Sequence, residues 1–136
     1  MHELAGQIRL LADGPHSPEQ TVAVARAVEE AVRVLAYATR GDAGVRYAST
    51  LYDLVGALQQ AAHGMEQLIG QVTGWLAEHE NDLTVDGGDN RFYALYDLYE
   101  TGTVAGSAAG RLDSALNGLH SCLGVIGGPV SKGDAR

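Results

Sequence analysis

Along the last third of the chain, apolar and small residues recur at spacings that alternate between three and four. The series runs Leu95, Leu98, Gly102, Ala105, Ala109, Leu112, Leu116, Leu119, Leu123 and Ile126. That period is one face of an α-helix and predicts a single long helix over about 90–126. A second seam of similar length precedes it: Leu51, Val55, Leu58, Ala62, Met65, Ile69, Val72 and Leu76. A flanking row recurs every seven residues at Leu54, Ala61, Leu68 and Trp75, so the apolar face is wider than a simple two-stranded seam. Asp53, Gln60, Gln67 and Gln71 fall on the opposite face, and the pattern predicts a helix over about 45–80.

The ten residues between them, NDLTVDGGDN, are polar or Gly except for Leu83 and Val85 and form a connection that folds two helices of similar length into an antiparallel hairpin. Symmetric folding about that connection pairs Trp75 with Tyr96, and His63 to Glu66 with Ala105 to Ala108. Asp89 or Asn90 is suited to cap the second helix of the pair.

Upstream, Ser17-Pro18-x-Gln20 carries an N-cap, a proline at the first helical position and capping-box spacing. It opens a helix over 18–40 with Val24, Val28, Ala31, Leu35 and Ala38 on one stripe and Arg40-Gly41 at its end. A short amphipathic segment, with Leu4, Ile8 and Leu11 on one face, comes first and is broken by Asp13-Gly14-Pro15. The expected fold is all-α: a helical bundle built on the long hairpin (about 45–80 and 90–126), covered by the 18–40 helix and a short N-terminal helix. Residues 1–128 form one domain in this reading, followed by a flexible tail at 129–136.

Small residues complicate the hairpin. Gly102, Gly106, Gly110, Ser114 and Gly118 recur every fourth position of the last helix. Each interior glycine costs a helix up to about 1 kcal/mol relative to alanine, so close packing must offset the row. Three arrangements achieve this: the crowded interior of the hairpin, a face on which two copies of the chain cross, or a cavity for an apolar ligand. Gly102, Gly106 and Gly110 are therefore candidate interface residues. The same geometry drives helix pairing in membranes, but Arg111 and Asp113 interrupt the run here and favour an aqueous interface.

Composition and charge narrow the function classes. A net charge of −8 disfavours binding to a nucleic-acid backbone and to anionic membranes. No stretch reaches the apolar length of a membrane span. Cys122 is the single cysteine, so no internal disulfide is possible and the expected location is the cytoplasm. One lysine against eight arginines, with abundant Ala and Gly, has the bias of a GC-rich bacterial genome.

Few residues offer chemistry. His63 and Glu66 share a helix at a spacing of three, which reverses the Glu-x-x-His order of di-iron bundles and occurs once only, so they are weak metal candidates. Asp82, Asp86, Asp89 and Asn90 are oxygen donors without EF-hand spacing. Cys122 reads as a half-buried structural thiol. Phe92, Tyr93, Tyr96 and Tyr99 concentrate near the hairpin tip, with Trp75 on the other helix. They fill the end of the bundle or form an interaction patch, and Tyr93, Tyr96 and Trp75 join the candidate interface.

No catalytic constellation and no cofactor motif is evident. The expected function is a non-enzymatic helical assembly or protein-interaction module that associates with itself. Two alternatives remain: a bundle that binds a small molecule or metal, which leaves room for an enzyme, and an acidic regulator that sequesters a basic protein.

Overall fold

A computed structural model describes residues 2–84 and 91–126. Among these residues there are four α-helices and no strand: α1 (His2–Leu10), α2 (Pro18–Ala38), α3 (Ala48–Glu78) and α4 (Arg91–Leu123). The all-α class and the α3–α4 hairpin are as the sequence pattern predicts. The chain divides into two compact units, residues 1–45 and 46–136. The proposed caps Asp89 and Asn90, the loop carboxylate Asp86 and the tail at 129–136 lie outside the described residues.

In the first unit, α1 runs into a single 3-10 turn at Leu11–Asp13. Gly14 then reverses the chain at φ +85°, a conformation that L side chains rarely adopt. The N-terminus of α2 is fixed as its sequence dictates: the Ser17 Oγ accepts the Gln20 N–H at 3.1 Å and Pro18 takes the first helical position. Thr39 closes the helix, its hydroxyl donating to the Leu35 carbonyl at 2.9 Å. The helix thus stops two residues before the predicted Arg40, whose guanidinium lies 4.5 Å over the Tyr37 ring.

The second unit is the hairpin. Tyr47, in an extended conformation, precedes α3, which therefore starts three residues later than its apolar pattern predicts. His79 ends α3: its backbone N–H bonds the Trp75 carbonyl at 3.1 Å, and its ring Nδ1–H donates to the same oxygen at 2.8 Å. A 3-10 turn at Glu80–Asp82 and an extended Leu83 follow.

The residues of α3 withdrawn from solvent follow the predicted seam at Leu51, Val55, Leu58, Ala62, Ile69 and Leu76, but Met65 and Val72 turn outward and Thr73 takes an inner place. On α4 the seam is rotated. Its shielded residues are Leu95, Tyr99, Gly102, Gly106, Ala109, Asp113, Leu116, His120 and Leu123, again at alternating spacings of four and three. Of the alternate members of the predicted seam, Leu98, Leu112 and Leu119 are left exposed, while Ala105 stays half-buried. The reason is steric. A glycine, not a leucine, lets α3 approach the α4 backbone, and of the polar members of the inner row Tyr99 and Asp113 find hydrogen-bond partners while His120 stacks on Tyr52.

The contacts fix the register. Thr73 meets Gly102, Ile69 meets Gly106, Glu66 meets Gly110, and the rings of Tyr52 and His120 stack at 3.9 Å. Compared with symmetric folding about the connection, α4 is displaced by about one helical turn. Trp75 therefore does not face Tyr96; its ring stacks on His79 of its own segment at 4.2 Å. The additional 3-10 turn after α3 makes the connection asymmetric and accounts for the displacement. The core that results is narrow: among the described residues only Ala48, Val55, Ala62 and Ala109 are buried.

The glycines of α4 are consequently not equivalent. A Cβ added at Gly102 would collide with the Thr73 methyl group. That methyl is not free to swing away, because the Thr73 hydroxyl is held at 3.1 Å and 3.0 Å from the Ile69 and Gly70 carbonyls. A Cβ at Gly118 would meet nothing within 4 Å. Gly102→Ala is therefore expected to lose about 1–3 kcal/mol through overpacking, despite its better helix propensity. Gly118→Ala is expected to gain about 0.5–1 kcal/mol. Thermal melts of the two variants should shift in opposite directions.

Candidate functional site

The hairpin presents two different edges. One is polar and holds the helices together. Gln59 Nε2 donates to one carboxylate oxygen of Asp113, and the His63 Nδ1–H donates to the other at 2.9 Å. Gln60 Nε2 donates in turn to the Gln59 Oε1 at 3.0 Å. Further along, the Glu66 carboxylate lies over Gly110, where an added Cβ would sit 3.2 Å from Oε2. Towards the far end, the His120 ring is seated between Tyr52 and Gly56; a Cβ on Gly56 would come within 2.9 Å of its Nε2. At the hairpin tip the Tyr99 hydroxyl donates to the Glu80 carboxylate at 2.9 Å.

These bonds set the protonation behaviour of two groups. Hydrogen bonds from Gln59, then from His63, hold the Asp113 carboxyl below its ordinary value, outweighing the upward push of its partial burial. The Tyr99 phenol is raised, first by its hydrogen bond to Glu80, then by burial and by the Glu80 charge.

The other edge of the hairpin is apolar and exposed. On α3, Leu68 is 55% exposed and Trp75 54%, with Ala61, Met65 and Val72 beside them. On α4, Leu98, Leu112 and Leu119 are exposed, interleaved with Thr101, Ala108, Ala115 and Cys122. The contacts of Glu66 with Gly110 and of His63 with Asp113 put the polar edges of the two helices together. The apolar edges therefore share the opposite side and form one face two helices wide. Monomeric proteins rarely leave a contiguous apolar surface of this kind.

The candidate residues named from the sequence separate between these environments. Gly102, Gly106 and Gly110 lie in the hairpin interior against Thr73, Ile69 and Glu66, whereas Trp75 belongs to the apolar face. Tyr93 and Tyr96 are exposed near the tip, and Phe92 packs edge-on against Tyr93 at 5.7 Å. Filling of the bundle end thus falls to Tyr99 alone among these four rings, which is half-buried. Cys122 is exposed rather than half-buried, because the rotation of α4 carries it to the outer side. His63 is engaged with Asp113, and among the described residues no group of three or more His, Cys, Asp and Glu side chains is arranged to hold a metal ion. No helix of the described residues is long and apolar enough to cross a membrane.

Sequence reasoning missed Gln59, Asp113, Tyr52 and His120 as a cross-helix set. The available signal was their spacing: Asp113 and His120 continue the seven-residue repeat begun by Tyr99 and Gly106. Within the first unit, an open apolar groove of about 390 Å³ runs along α2, lined by Ile8 and Leu11 on one side and by Val24, Ala27, Val28 and Ala31 on the other.

Because the folded state favours the ionised form of Asp113, its contribution to stability is complete above the ordinary carboxylate value of 3.8 and is lost as the pH falls through the lower folded value. Asp113→Asn should remove part of the acid limb of the stability profile below about pH 4 while leaving its slope near neutrality unchanged. Thermal unfolding of both proteins across the acid range checks this.

Comparison with protein-family models, with curated proteins and with solved structures found no match for this chain.

Proposed function

We propose that this chain is a non-enzymatic helical assembly module of the bacterial cytoplasm that works by associating with copies of itself. One observation carries the reading: among the described residues the hairpin buries only three alanines and a valine, yet leaves a row of large apolar side chains in water. Leu68, Val72 and Trp75 on α3 and Leu112 and Leu119 on α4 are each about half exposed. Fully burying such a side chain is worth roughly 1.5–3 kcal/mol relative to leaving it exposed, so covering the face is strongly favourable.

The polar pairs across the seam support a scaffolding role. Gln59, His63 and Asp113 satisfy one another and lie along a helix edge rather than converging on a cavity where a substrate would be held. The net charge of −8 weighs against nucleic acid as the partner.

Light scattering on the purified full-length chain tests the proposal. The expected mass is a multiple of the 14.2 kDa chain, retained at high salt because the contact is apolar. A mass of one chain across the accessible concentration range would be incompatible with it.

A further inference from the structure

Resting on the proposed self-association, we infer how two copies meet: their hairpins pack face to face as a four-helix bundle about a two-fold axis parallel to the helices, each α3 lying on the α4 of the other copy.

The width of the face argues for a two-helix partner. Met65 and Val72 on α3 and Ala105 and Leu112 on α4 border the groove between the helices, where one added helix would cover them. Leu68 and Trp75 lie about a further sixth of a turn outward, at 55% and 54% exposure. On α4, Thr101, Ala108 and Ala115 occupy the corresponding outer row. A single helix seated in the groove leaves both outer rows in water, whereas a second hairpin covers both.

The size of the face is adequate. From Leu54 to Trp75 it runs about 32 Å at 1.5 Å per residue, and two helices abreast span about 20 Å. That gives roughly 600 Å² per copy, or about 1,200 Å² in total, the lower end of stable protein interfaces. The face carries no charged side chain between these limits, so the net charge of −8 on each copy does not set like charges against one another across it.

Shape decides the orientation. The hairpin register places Leu68 level with Ala108, Trp75 level with Thr101, and Ala61 level with Ala115, on opposite outer edges of the same face. At Leu68 and Trp75 the outer row of α3 is bulky where that of α4 is small, and at Ala61 both rows are small. A two-fold axis parallel to the helices brings each bulky residue onto the small residue at its own level in the other copy, twice over. A two-fold axis across the helices would instead set Leu68 and Trp75 of one α3 against the same row of the other.

The experiment uses full-length chains in which Cys122→Ser removes the native thiol. One chain carries Leu68→Cys and the other Ala108→Cys; they are mixed, allowed to exchange, and oxidised. The expected product is a disulfide-linked pair containing one of each, formed at least tenfold more than homodimers of either variant. In parallel, Leu68→Glu should reduce the mass by light scattering to that of one chain, with helical circular dichroism showing that α3 and α4 persist. A multimeric mass without the mixed disulfide, or a Leu68→Glu protein that stays multimeric, overturns this arrangement and leaves self-association standing. A single-chain mass for the unaltered protein overturns both.

Discussion

The distance at which α3 and α4 can pack governs the rest of this molecule. Gly102 admits the Thr73 methyl group and Gly106 the side chain of Ile69, while Gly110 lies beneath Glu66. With no Cβ at these positions the two backbones run close, and the space between them accommodates alanine and valine but no larger buried side chain. The small core is thus a consequence of the glycines, not a separate feature. So is the fate of three leucines: with Gly106, Asp113 and His120 turned towards α3, Leu98, Leu112 and Leu119 lie beside the seam.

Polar groups then make the tight seam specific. Asp113 and His120 occupy places where a leucine would ordinarily sit in a helix pair. Each is matched across the interface, Asp113 by Gln59 and His63, His120 by the Tyr52 ring and the open space over Gly56. Sliding α4 by one turn would part Asp113 from one of its two donors and lift the His120 ring off Tyr52 and Gly56. An apolar contact tolerates such slippage, whereas a half-shielded carboxylate parted from a donor does not. The polar edge therefore fixes the register, and the register sets which apolar residues stand level on the other edge.

Much of this architecture was legible from periodicity. The existence and extent of α3 and α4, the Ser17 cap of α2 and the break at Gly14 follow from spacing and from residues with narrow conformational roles. The rotation of α4 did not, for a definite reason. Its sequence supports two registers that share Leu95, Gly102, Ala109, Leu116 and Leu123 and differ only in whether the intervening members are Leu98, Ala105, Leu112 and Leu119 or Tyr99, Gly106, Asp113 and His120. Hydrophobicity selects the first set, because it measures preference for any covered environment and not for one partner over another. Choosing the second required knowing what stands opposite, and Gln59, His63 and Tyr52 are spread along a different helix. The candidate glycines and the aromatic face were both visible as patterns, but only the seam separates residues spent inside the hairpin from those left outside it.

That both registers of α4 are regular is itself informative. If the leucine series had no role, nothing would keep it in step over four heptads on a helix whose inner row is already provided for. A helix with two coherent apolar or small-residue rows, each continuing at the same spacing, is built to be flanked on two sides. α3 occupies one. The other row aligns with Met65, Leu68, Val72 and Trp75 of α3 to make a surface that belongs to neither helix alone. Its existence depends on the hairpin being formed and on its register being held by Asp113. Folding of the hairpin and covering of this face are then linked: whatever binds the formed face but not the open chain stabilises the fold by mass action. For a partner that is a second copy, the stability of the hairpin rises with protein concentration. The polar edge thus sets the geometry on which the apolar edge depends, and the apolar edge returns stability to a seam too narrow to supply much of its own.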